Sequence, residues 1–179
     1  MIYMVQLFEL FAKRSATKIL EFFLDNPSGE LYETEIRKEA NIVKASSIKW
    51  LRTLVELNFL LKRNKGRMIL YKLNLENPII KELKKLKTIS LLAPEFKDLG
   101  IEVYLYGSCA RGEDKENSDV DVLIIGKQTR EIISTITYIE KKINKKIKPS
   151  FYTQIEWSRM SRKDPAFYER VEKDKIRLA

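Results

Sequence analysis

The chain has 179 residues, 44% hydrophobic and 33% charged, with a net charge of +9, which suits one ordinary domain or two small ones. No window of about 18 apolar residues offers a transmembrane helix, and the opening "MIYMVQLFELFAKRS" lacks the basic region and cleavage site of a signal peptide. The lack of histidine excludes histidine acid–base chemistry and histidine-type zinc sites, and a single cysteine, Cys109, excludes an internal disulfide and suits a cytoplasmic protein.

The charge is uneven along the chain. Residues 1–88 carry 17 Lys/Arg against 10 Asp/Glu, and residues 89–179 carry 17 against 15. The excess predicts an electrostatic partner for the first half only. There, "SATKILEFFLDNPSGE" places Ala16, Ile19, Leu20, Phe22 and Phe23 at helical spacing before a Pro-Ser-Gly stop. "LYETEIRKEA" reads as a short helix capped by Thr34. "NIVKASSIKWLRTLVELN" is a third, with Leu51, Leu54 and Leu57 inward and Asn58 suited to the left-handed turn that ends many helices. "FLLKR" and "MILYKLN" then flank "NKG" as a hairpin with a basic tip.

Three helices and a hairpin in this order resemble a winged helix-turn-helix, and "ETEIRKEANIVKASSIKWLRTLVELNFLLKR" resembles that part of winged-helix repressors. The resemblance implies a recognition helix over 44–57. Lys44, Ser46, Lys49 and Arg52 then face a DNA major groove, and Arg63, Lys65 and Arg67 on the wing meet backbone phosphate. It also implies double-stranded DNA and a homodimer as partners. The bland alternative is a helical protein-binding module whose basic face is only solvated. Ser47 stands where the family is usually apolar, and Trp50 is bulky for its place.

Residues 76–99 read as an amphipathic helix and a second helical stretch, punctuated by "NP" and "AP", linking two domains. Ile79, Ile80, Leu83 and Leu86 form an apolar stripe there, either core or a dimer contact. Beyond it, 101–107 reads as a strand and "SCARGEDKEN" as a short helix and loop. "DVDVLIIG" is the next strand, followed by the helix "REIISTITYIEKKI", the strand "KIKPSFYT", the helix "DPAFYERVEKD" and a last strand in "KIRLA".

Asp119 and Asp121 share one strand face, about 7 Å apart at roughly 3.3 Å per residue. Like charges so placed raise each other's pKa unless a cation lies between them, so the pair predicts a divalent ion, Mg2+ or Mn2+. Gly107 lets backbone N–H groups approach an anion, and Ser108 begins a helix whose N-terminus favours phosphate. Arg111 either touches a phosphate or pairs with Glu113. Together these describe a site for a metal–nucleoside triphosphate.

"GSCARGEDKENSDVDVLI" resembles the signature of the polymerase-β-type nucleotidyltransferase superfamily, in particular its minimal members. The resemblance covers residues 100–179. It implies Asp119 and Asp121 as catalytic and metal-binding residues and Gly107, Ser108 and Arg111 as nucleotide-binding residues. It further implies a nucleoside triphosphate as ligand and a toxin-type protein as a further partner. Family enzymes use a third carboxylate on a later strand, but "IKPSFYT" offers only Lys148, Pro149, Ser150 and Phe151, with Glu140 before it and Glu156 after it. The expected fold class is α+β to α/β. A winged helix-turn-helix (1–75), a helical linker (76–99) and a nucleotidyltransferase-like mixed sheet with flanking helices (100–179) follow one another. The expected function is a DNA-binding regulator that binds metal-nucleotide, with an active, antitoxin-like nucleotidyltransferase as the alternative.

Overall fold

The computed structural model describes residues 10–179, so the first nine residues of the stretch read for a signal peptide lie outside it. The chain divides into two compact units, Met1–Ile80 and Lys81–Ala179.

In the first unit the order is α1 (Arg14–Asp25), β1 (Glu30–Tyr32), α2 (Glu33–Glu39), α3 (Lys44–Glu56), β2 (Leu60–Lys65) and β3 (Met68–Leu73). The strands form an antiparallel sheet in the order β1-β3-β2. Helix α1 buries Ala16, Ile19, Leu20 and Phe23, and α3 buries Trp50, Leu51 and Leu54. Each large apolar side chain withdrawn from water in this way contributes about 1.5–3 kcal/mol. The cap of α2 is Tyr32 rather than Thr34: the Tyr32 N–H donates to Glu35 Oε2 at 2.7 Å. Residues 31 and 32 leave the helix because they pair with Tyr71 and Leu70 on β3, a partner distant in sequence.

Asn58 does take the left-handed conformation, with φ 58°. Its N–H donates to Val55 O and that of Phe59 to Leu54 O, both at 2.9 Å, which closes α3 with a Schellman motif. Phe59 is buried beneath it. The hairpin turns one residue later than "NKG" suggests. Lys65 pairs with Met68, leaving Gly66 and Arg67 as the two-residue tip, with Gly66 at φ 62°.

The division between the units falls within α4 (Pro78–Phe96). This is one helix rather than two stretches. Pro94 lies in the last turn, where its missing N–H and ring disturb only the bond to the Ser90 carbonyl. The expected stripe is also broken: Ile80 is buried, whereas Leu86 is 62% exposed and Lys84 is buried instead. Leu92 and Phe96, in the stretch expected to be linker, belong to the core of the second unit.

The second unit continues with β4 (Glu102–Tyr106), α5 (Gly107–Arg111), β5 (Val120–Ile125), α6 (Arg130–Ile143) and β6 (Ile147–Tyr152). It closes with α7 (Gln154–Lys163), α8 (Pro165–Asp174) and β7 (Ile176–Arg177). The mixed sheet runs β6-β5-β4-β7, with β5 and β6 parallel through the α6 crossover and the other pairs antiparallel. One face carries Val103, Leu105, Val122 and Ile124 against Leu92, Phe96, Ile132, Ile136 and Ile139. The other packs Tyr106 and Leu123 against Trp157, Met160 and Val171.

Helix α7 has no counterpart in the sequence expectations, although its signal is present. The Thr153 N–H donates to Glu156 Oε2 at 2.8 Å, and the Glu156 N–H donates back to Thr153 Oγ1 at 3.2 Å. This is a capping box, and Trp157 and Met160 follow at helical spacing. No helix among the described residues is long and apolar enough to cross a membrane.

Candidate functional site

Strand β5 carries the aspartate pair at its start. Asp119 immediately precedes it, and Asp121 lies opposite Tyr106 on one side and Lys148 on the other. Directly opposed residues on paired strands share a face, so Tyr106, Asp121 and Lys148 form one row. Gly107 follows Tyr106 with φ 73°. A β-carbon at that position would stand 2.6 Å from Asp121 Oδ2, so the Gly-Ser turn and the carboxylate touch in a way only glycine permits. Gly107 and Ser108 are both half-buried at the start of α5, beside Asp121.

The loop from 112 to 118 is tied to α4. A β-carbon at Gly112 would stand 2.1 Å from Lys81 O. Asp114, almost fully buried, lies 3.1 Å from Lys84 Nζ and 2.7 Å from Lys145 Nζ, and Lys84 also donates to the Asp114 carbonyl. Burial pushes the Asp114 carboxyl up, but Lys145 and Lys84 outweigh it and hold it below its ordinary value. Cys109 is buried, its thiol pushed up to about 11 by desolvation and then by Asp114. Its Sγ donates to Asp119 O at 3.6 Å, a structural contact made by a protonated thiol.

Arg111 pairs with carboxylates, Glu113 as expected and Asp174 besides. Its Nε donates to Glu113 Oε2 at 2.8 Å and its other nitrogen to Asp174 of α8 at 2.5 Å. Glu113 and then Asp174 raise its pKa further.

Strand β6 explains what became of the third acid. Lys148 stands directly across from Asp121, Ser150 stands across from Leu123, and Ser150 Oγ lies 3.2 Å from the Tyr106 hydroxyl. Glu140 is spent on the backbone, accepting from the Ile147 N–H at 2.9 Å, and Glu156 caps α7. Among the described residues no three His, Cys, Asp or Glu side chains converge as a metal set. Lys148 Nζ instead lies 2.5 Å from Asp119 Oδ2. The Asp119 contact raises the Lys148 pKa. Burial raises the Asp121 pKa; Lys148 opposes this and Asp119 adds to it. As arranged, two carboxylates with an ammonium on one of them do not fit a divalent ion.

Two cations are not expected from the sequence to act at this site, although Lys148 stands on the strand searched for a third acid. Lys148 is recognisable only once the parallel register is known. Arg170 of α8 lies over the Phe167 ring at 5.4 Å, and its charge lowers the pKa of both Tyr106 and Asp121, against the burial that dominates each. Its charge acts on the aspartate site from about 50 residues further along the chain.

In the first unit Lys44, Lys49 and Arg52 are exposed along α3, Ser46 is half-buried, and Lys65 and Arg67 are exposed at the hairpin. Arg52 pairs with Glu56 at 2.9 Å, and Lys49 lies over the Trp50 ring at 4.9 Å. Arg63 is held by Glu30 of β1, its Nε donating at 3.0 Å. Ser47 is wholly buried, and its hydroxyl has no hydrogen-bond partner among the described residues.

No curated protein matches the sequence. A family model described as a nucleotidyltransferase domain matches residues 83–178, a span that takes in most of α4, the Gly-Ser turn, the aspartate pair and strand β6. By that match over more than half its length, the chain belongs to the nucleotidyltransferase domain family.

Proposed function

We propose that the protein is a cytoplasmic DNA-binding transcriptional regulator, with a winged helix-turn-helix at its N-terminal end and a nucleotidyltransferase-type domain that binds a nucleoside triphosphate. The observation that supports the DNA reading is the exposure of basic side chains on both α3 and the hairpin of the first unit. Lys44, Lys49 and Arg52 stand exposed on α3, and Lys65 and Arg67 stand exposed on the hairpin that follows it in the chain. The helix–helix–hairpin order supports it, since in a winged helix the second helix of the turn enters the major groove and the hairpin meets phosphate. A regulator of this kind reads paired half-sites, so a homodimer and a palindromic site accompany the proposal. Selection from a random duplex library near physiological salt tests it. Enrichment of a palindrome is expected. If no sequence is enriched and a Lys65→Ala/Arg67→Ala variant binds duplexes as well as the parent, the first unit is a protein-recruiting module instead.

The second reading is an active nucleotidyltransferase that moves a nucleoside monophosphate to a protein or nucleic-acid acceptor, with a toxin-type protein among the acceptors. Family membership and the Gly-Ser turn against Asp121 favour it. The residues beside Asp121 disfavour it, because β6 offers an ammonium and a hydroxyl where a base is needed. Incubation with labelled nucleoside triphosphates and cell extract separates the two. The regulator reading expects labelling at background, whereas robust labelling establishes an enzyme.

A further inference from the structure

Lys148 occupies a particular position among the groups around the aspartates. Parallel pairing sets its backbone directly beside Asp121, and its Nζ reaches Asp119 Oδ2 at 2.5 Å, so the ammonium contacts one carboxylate of the pair from the strand position next to the other. Its side chain is 67% exposed, held in place by this charge contact rather than by packing. Among the described residues no third carboxylate joins the pair, and Glu140 and Glu156 are committed to the backbone. Arg170 adds a second positive charge acting on Asp121.

We infer that Lys148 is a built-in counter-ion that stands where a divalent cation would lie at Asp119 and Asp121, so that this site offsets the charge of its carboxylates in part without metal. The physical reason is the like-charge problem itself. Two carboxylates on one strand face need a cation, and a lysine on the neighbouring strand supplies one at no cost in dehydrating a metal ion. A divalent ion must displace an ammonium already in contact with Asp119 and then bind next to it. The penalty for that neighbouring positive charge is roughly tenfold or more in metal affinity. The further consequence, which rests on the nucleotide-binding reading, is that triphosphate meets Lys148 directly and binds without added metal.

The test uses the full chain and Mn2+ alone, followed by electron paramagnetic resonance, with Lys148→Ala and Lys148→Glu alongside the parent. Lys148 is exposed, so neither change disturbs a core. The expected result is weak or undetectable Mn2+ binding by the parent. Lys148→Ala should bind roughly tenfold tighter or more, and Lys148→Glu, with three carboxylates, tighter again. Equal Mn2+ affinity in the parent and Lys148→Ala overturns the inference, and so does absence of binding in all three. A second arm measures ATP affinity of the parent in EDTA and in Mg2+. Equal affinities support the metal-free site, and an absolute need for Mg2+ overturns it. Failure to bind ATP under either condition removes the nucleotide-binding reading and the direct triphosphate contact with it, while the Mn2+ comparison alone decides the counter-ion.

Discussion

Asp121 Oδ2 lies 2.6 Å from where a β-carbon on residue 107 would stand, and Gly107 holds φ 73°, so the turn after β4 and the carboxylate on β5 are shaped to each other. Gly107→Ala should therefore incur two penalties, the left-handed backbone and displacement of the Asp121 side chain. A loss of about 1–3 kcal/mol in urea unfolding is expected, together with weakened ATP binding. Unchanged stability and unchanged binding would show that the turn is free to move away.

The buried Asp114 cluster should behave as a structural anchor. Asp114→Ala leaves Lys84 buried beside a lost partner and should destabilise the chain by about 3 kcal/mol. Replacing the pair together, Lys84→Met with Asp114→Leu, should cost much less. The folded carboxyl titrates below its ordinary 3.8, so its contribution is fully present above that pH and disappears as the pH falls through the lower folded value. The gap in thermal unfolding between parent and Asp114→Ala should hold from pH 7 down to about 3.8 and narrow as the pH falls below it.

Ser47→Ala should be neutral or stabilising, by up to about 1 kcal/mol, because it removes a buried hydroxyl that has no partner among the described residues. A loss of more than about 1 kcal/mol in chemical denaturation would mean that the hydroxyl is satisfied, for instance by an internal water.

The basic side chains divide by their present partners. Lys65→Ala and Arg67→Ala should weaken all duplexes alike and each flatten the salt dependence by a slope of about 0.9. Arg63→Ala should change it less, because Glu30 already holds that guanidinium. Lys44→Ala and Lys49→Ala should alter which sequence is preferred, at about 1–3 kcal/mol on the cognate site. Fluorescence anisotropy on cognate and scrambled duplexes at several salt concentrations distinguishes these outcomes.

Local chemistry determined much of this protein. The helical periods of α1, α3 and α6, the left-handed stop at Asn58 and the Gly-Ser turn before an Asp-x-Asp strand all depend on residues within a few positions of one another. They are legible because helix faces, strand alternation and positive φ are short-range properties. Even α7 carried its own signal in the Thr153–Glu156 capping box. Tertiary structure decided the rest through pairings between distant segments. Tyr32 became a strand residue because β3 was there to receive it, and Lys84 became buried because Asp114 folded back onto α4. Strand register made the largest difference. Only the parallel pairing of β5 with β6 places Lys148, 27 residues from Asp121, beside it and within reach of Asp119. Register is set by packing on both faces of the sheet, and that packing put a lysine beside Asp121 on the strand searched for a third acid.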